Sequence, residues 1–138
     1  MGSAAELFAA YEATDYVIMS EPPCVAQVGV CDDRIDKLLR NHGATTGEVL
    51  TAWNPESQLC SLAENDAVQR RLEVKLEAMK VQYLDAEGRR RDGTCRAERS
   101  FCCLGLSLDT AFELARAFGQ SAFLCFEIGK PPFIALTR

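Results

Sequence analysis

The amino-acid sequence predicts a single α+β domain over residues 1–138: a mixed, mostly antiparallel sheet with about four helices packed on it. Three observations carry this expectation. A chain of 138 residues with 48% hydrophobic and 25% charged residues has ordinary globular composition and buries roughly 68% of the surface that its unfolded form exposes, enough for one core. Four segments with helical spacing are each opened by a capping signal. Between them lie short apolar runs bounded by Gly, Pro, Asn and Asp. The resulting order, α-β-β-α-β-α-β-β-α-β-β, is neither a strict β-α alternation nor segregated into halves, so a sheet with helices laid on it follows.

The elements are justified in chain order. Ser3-x-x-Glu6 is a capping box, and Ala4, Leu7, Phe8 and Tyr11 follow at helical spacing. Tyr16-Val17-Ile18-Met19 is an apolar run that reads as a strand, and after Glu21-Pro22-Pro23 the alternating stretch Val25 to Val30 reads as another. Asp32 and Asp33 supply an N-cap and favourable charge for a helix with Ile35, Leu38, Leu39 and His42 on one stripe, and Gly43 offers the stop. Val49 to Trp53 is the third strand, ended by the turn Asn54-Pro55-Glu56-Ser57. Ser61-x-x-Glu64 opens the longest helix, with Val68, Leu72, Leu76 and Met79 as its apolar stripe. Val81–Asp85 and Ala97–Leu104 form a hairpin around a Gly- and Arg-rich tip. Ser107 and Asp109 start the last helix, which carries Leu108, Ala111, Phe112, Ala115 and Phe118 and stops at Gly119. Two strands close the chain: Ala122–Phe126, continuously apolar and so expected to be central, and Phe133–Leu136.

Composition excludes several function classes. A net charge of −5 and no basic stripe argue against nucleic-acid binding, which needs clustered Lys and Arg against phosphate. The basic run Arg89-Arg90-Arg91 is flanked by acids and glycines and reads as a solvated hairpin tip. No run approaches the roughly 18 apolar residues of a membrane span, and the first residues lack the pattern of a signal peptide. The seven cysteines are odd in number and contain no C-x-x-C pair, so reduced thiols in the cytoplasm are expected rather than disulfides or a metal site. No cofactor is implied.

The stretch Thr51-Ala52-Trp53-Asn54-Pro55-x-Ser57-x-x-x-Ser61-x-x-Glu64-Asn65, with Leu104-Gly105-Leu106 and Phe118-Gly119-Gln120-x-Ala122, resembles the bacterial domain-of-unknown-function family numbered 3293. The resemblance runs from Tyr11 to the last strand. It implies one uncharacterised domain and no particular chemistry. Where family members carry Arg or Lys after the Asn-Pro pair this chain has Glu56, which counts against an anion site beside the turn, and its cysteine content is high.

No catalytic residue is assigned. His42, the only histidine, lies on an apolar helix stripe near the helix end and reads as a packed or capping side chain. Cys102 and Cys103 are neighbours in a strand, point to opposite faces and read as inert packing. The segment from Thr51 to Asn65 is the most informative, because a strand ends, a turn follows and a helix begins where α/β proteins often hold a polar ligand. The candidate ligand-binding residues are Thr51, Trp53, Asn54, Ser57, Glu64, Asn65 and, from the Gly119 stop, Gln120. Capping explains Ser61 and Glu64, and turn formation explains Asn54. Asn65 falls inside the apolar stripe, where an amide either ties down a neighbouring loop or faces a pocket. Glu98, in a stretch of alternating charges, is either a carboxylate lining a pocket or, as such strands usually are, part of a wet face, and the second reading is favoured. Two functions stay open: a non-catalytic module docking an unknown protein partner, favoured by the lack of a catalytic dyad, and a binding or group-transfer site for a small polar molecule at the Asn54 turn. A monomer or small homo-oligomer fits either.

Overall fold

The structure, a computed structural model, describes residues 3–137, apart from the Ser57 side chain. All the expected helices and strands are present in the expected order, with one added turn of 3-10 helix at Pro55–Ser57. The helix starts follow their capping signals. Ser3 accepts a hydrogen bond from the Glu6 amide at the start of α1 (Ala4–Glu12), and Asp32 accepts one from the Arg34 amide at the start of α2 (Asp33–Asn41). Both halves of the Ser61/Glu64 capping box are made at the start of α3 (Leu62–Ala78), and Ser107 caps α4 (Leu108–Ala117). His42 caps the end of α2, its Nδ1 lying 2.9 Å from the Leu38 carbonyl oxygen.

The strands are β1 (Thr14–Ile18), β2 (Cys24–Ala26), β3 (Thr46–Leu50), β4 (Gln82–Arg90), β5 (Glu98–Leu104), β6 (Ala122–Glu127) and β7 (Phe133–Leu136), in the sheet order β2-β1-β4-β5-β3-β6-β7. Every pairing is antiparallel, where a mixed sheet was expected. The reason lies in the connections. The helical crossovers β3-α3-β4 and β5-α4-β6 each join strands with another strand between them, so neither produces a parallel neighbour pair.

The sheet is packed on both faces. Ile18, Ala26, Leu124 and Phe126 meet Ile35 and Leu39 of α2 on one side, while Leu50, Phe101 and Phe123 meet Leu72 and Leu76 of α3 and Ala115 of α4 on the other. Strand β6 lies one place in from the sheet edge and is buried on both faces, which accounts for its unbroken apolar run.

Several extents differ from the sequence reading, β2 among them, which ends at Ala26 rather than Val30. Strand β3 ends at Leu50 rather than Trp53. Strand β4 continues to Arg90, so the basic run lies at the end of a strand rather than at its tip. On α3 the buried stripe is Asn65, Gln69, Leu72 and Leu76, and Met79 is 37% exposed at the C-cap.

Candidate functional site

The departure of the chain from the sheet after Leu50 organises the site. An extended segment without a strand partner must find acceptors for its amides elsewhere, and α3 supplies them. Gln69 Oε1 accepts from the Ala52 amide at 2.9 Å, and Asn65 Oδ1 accepts from the Asn54 amide at 2.8 Å. The two spacings match, since one helical step of four residues rises about 6 Å and two extended residues span about 6.6 Å. Two side-chain amides therefore serve alternate backbone N–H groups as a strand would. Asn65 Nδ2 also donates to Asn54 Oδ1 at 3.0 Å, and the same oxygen accepts from the Cys60 amide.

The turn is fixed from the other side. Asn54 and Glu56 adopt left-handed backbone conformations, φ 48° and 59°. The Glu56 amide donates to the Gly119 carbonyl at 2.8 Å, and a Cβ on Gly119 would lie 2.9 Å from the Pro55 Cβ, so glycine is required there for space as well as for its φ of +70°. Gln120 Nε2 donates to the Trp53 carbonyl at 2.9 Å. Its amide reaches the turn because β6 is paired with β3.

A cavity of about 330 Å³ opens on the sheet face beside this turn, under α1. Its floor follows from strand register. Tyr16 of β1 is opposite Gly88 of β4, which is opposite Glu98 of β5. A glycine between a tyrosine and a glutamate leaves a hollow in the pleated surface. A Cβ there would come within 3.6 Å of the Tyr16 ring, an ordinary contact, so the space is open rather than forbidden. Thr14 and Arg90 form the next row. Tyr11, stacked on Tyr16 at 6.0 Å and 28°, makes a wall and donates its hydroxyl to the Ala122 carbonyl at 2.7 Å. Leu7, Val49, Trp53, Cys95, Arg96 and Ser100 are also among the lining residues.

Electrostatically, burial raises the Glu98 carboxyl above its usual range, with hydrogen bonding to Asn54 opposing the rise. Burial also raises the hydroxyls of Tyr11 and Tyr16. Among the described residues, two buried wall donors, Trp53 Nε1 and Arg90 Nε, have no acceptor. The arrangement can hold a polar group against apolar walls and exchange a proton with it through Glu98. Among the described residues no group of three or more His, Cys, Asp or Glu side chains is placed to hold a metal.

Of the residues singled out from sequence, Thr51, Trp53, Asn54 and Gln120 line the cavity. Glu64 is exposed and occupied with capping. Asn65, 3% exposed, sits behind the turn and ties it to α3. Ser57 closes the 3-10 turn, and its side chain lies outside the described part of the structure. Sequence reasoning missed Tyr11, Tyr16, Gly88, Arg90 and Arg96 as lining, and read Glu98 as wet. The signal was the alternation of Gly88, Arg90, Glu98 and Ser100 on one face, legible only once β4 is known to run past Asp85.

Among known families, the one described as a protein of unknown function (DUF3293) matches residues 50–123, from the end of β3 through the start of β6. Among curated proteins and solved structures none matches the chain. No helix of the described residues is long and apolar enough to cross a membrane.

Proposed function

Because the chain belongs to the DUF3293 family of unknown function, whose description assigns no chemistry, we propose a function from geometry: the domain binds a small polar organic molecule in the cavity over Tyr16, Gly88 and Glu98. The observation that carries this reading is the coincidence, in one concave site, of a raised carboxyl, unpartnered buried donors and aromatic walls around a strand glycine. Structural needs alone do not call for such a combination, since a packed sheet face is favoured by filling the hollow and pairing the donors. Its volume is at the lower end of those typical for ligand pockets, about 300–1,000 Å³. Thr51, Trp53, Asn54 and Gln120 supply the wall nearest the turn, and Glu98 supplies the acid.

Docking of a protein partner has less in its favour. The outer strands β2 and β7 offer only three and four residues for pairing, and Pro131-Pro132 precede β7, so an added strand would gain few hydrogen bonds. We place the protein in the cytoplasm, where its seven free thiols would stay reduced.

The test is a thermal-shift screen of the protein against a metabolite panel, repeated on Gly88→Leu, which fills the hollow. A ligand at a hundred times its Kd adds about 2.7 kcal/mol of stability, several degrees in Tm for a domain of this size. The expected result is a compound that stabilises the parent and not the variant, with the variant's circular dichroism unchanged. Stabilisation that survives Gly88→Leu, or none across the panel, removes the assignment.

A further inference from the structure

We propose that the cavity takes a small organic acid, a carboxylate or phosphate head on an apolar body, with the head held by Arg90, Arg96 and the Trp53 indole N–H. The inference rests on the ligand-site reading above and deepens it. What the wall leaves open decides the sign of the ligand. Trp53 is 4% exposed, and its Nε1 is buried without an acceptor among the described residues; Arg90 Nε is in the same condition. Both groups can only donate. Arg96 lines the mouth and makes no ion pair among the described residues.

Several acceptors on the wall are, by contrast, already used. Asn54 Oδ1 accepts from the Cys60 amide and Asn65 Nδ2, the Trp53 carbonyl from Gln120, and the Ala122 carbonyl from Tyr11. Glu98 is the one carboxylate in the lining, and burial raises its carboxyl, which lessens the charge it sets against an anion. A ligand complementary to this surface therefore brings acceptors, and two guanidinium groups favour that these carry charge. The positive character is local. Arg89 and Arg91, on either side of Arg90, are matched by Glu87 and Asp15 at 2.8 Å each. Arg90 keeps only a 3.2 Å bond from one terminal nitrogen to Asp92, which leaves its Nε edge free. Leu7, Tyr11, Tyr16 and Val49 then accept the apolar body. Glu56 is not part of the lining, so its charge at the turn does not oppose an anion held from β4 and the β4–β5 connection.

The chain has one tryptophan, so the indole N–H gives a single resonance in a proton–nitrogen correlation spectrum. That signal, and protection of the cavity-lining Cys95 from iodoacetamide, would be followed during titration with benzoate, phenyl phosphate, benzamide and benzylammonium, matched probes of differing head charge. Benzoate or phenyl phosphate is expected to bind about tenfold or more tightly than the other two and to move the indole signal, with Arg90→Gln and Arg96→Gln each weakening it by about tenfold. Stronger binding by benzoate assigns a carboxylate head, and by phenyl phosphate a phosphate head. Benzamide or benzylammonium binding as well as the acids, or acid binding indifferent to both variants, overturns the acid inference while leaving a ligand site in place. If none of the four binds, the panel decides: a Gly88-dependent acid supports the inference, a Gly88-dependent neutral or cationic compound overturns it, and no Gly88-dependent compound at all defeats the ligand-site reading itself.

Discussion

At the scale of single residues, the fold depends on two amides on α3 that replace a missing strand. Asn65 stands out in the sequence because a polar side chain on an apolar stripe needs a reason, and there tie and pocket are alternatives. Its contacts are those of a tie, 2.8 Å from the Asn54 amide and 3.0 Å from the Asn54 side chain. Gln69, one turn on and 1% exposed, does the same for Ala52. Periodicity passes over it because the apolar stripe legible in the sequence runs one residue away, through Val68. Asn65→Ala is expected to strand the Asn54 amide and cost about 1–3 kcal/mol, and Asn65→Leu to do no better, because a buried donor without an acceptor is penalised whatever apolar group faces it. Urea denaturation of both variants beside the parent checks this. Unchanged midpoints in the two would mean that the turn holds without the tie.

At the scale of elements, type and order were legible because each helix carries its own start signal and each strand its own bounding turn. Extent was less legible. Strand β4 continues through Gly88 and Arg90 because β1 and β5 pair with it on either side, and a tertiary partner of that kind leaves no local mark. Most of the cavity floor was hidden with it. Strand alternation also settles the cysteines. Cys102 and Cys103 point to opposite faces of β5, and each face is covered, so both are fully buried, along with Cys24 and Cys125. Burial pushes the Cys125 thiol up to about 12 and raises Cys102 and Cys103 strongly too. A thiol held protonated and out of contact with solvent does not react. Native titration with a small disulfide reagent is therefore expected to show Cys31 and Cys95 promptly, the half-buried Cys60 more slowly, and the remaining four only after unfolding. Prompt reaction of any of those four would mean that the strands open at their ends.

At the scale of the whole molecule, the charges divide into two sets with opposite effects on stability. Asp32, Glu64 and Asp92 are carboxylates at or near the surface lowered by hydrogen bonds with Arg34, Ser61 and Thr94, so the folded state loses their help as pH falls through their titration. Each effect is small because water screens it. Glu48 acts the other way and more strongly. It lies on β3 opposite Cys103 and Cys125, is 2% exposed, and has a carboxylate oxygen without a partner among the described residues. Burial raises its pKa from 4.5 to about 8. The folded protein thus holds a proton on Glu48 that the unfolded chain has already released above pH 4.5. Stability is then full below that value, declines as pH rises, and the decline is complete once pH passes about 8. At 1.36 kcal/mol per pKa unit the loss is at most about 5 kcal/mol, large beside the 5–15 kcal/mol of a typical domain. Glu98, raised by the same cause, adds to the slope. The urea midpoint is expected to be highest in mildly acidic solution and to fall towards pH 8, with Glu48→Gln removing most of the fall and Glu98→Gln a smaller part. A profile that is flat in the parent, or that keeps its slope in Glu48→Gln, would show that water reaches this carboxylate in the folded state.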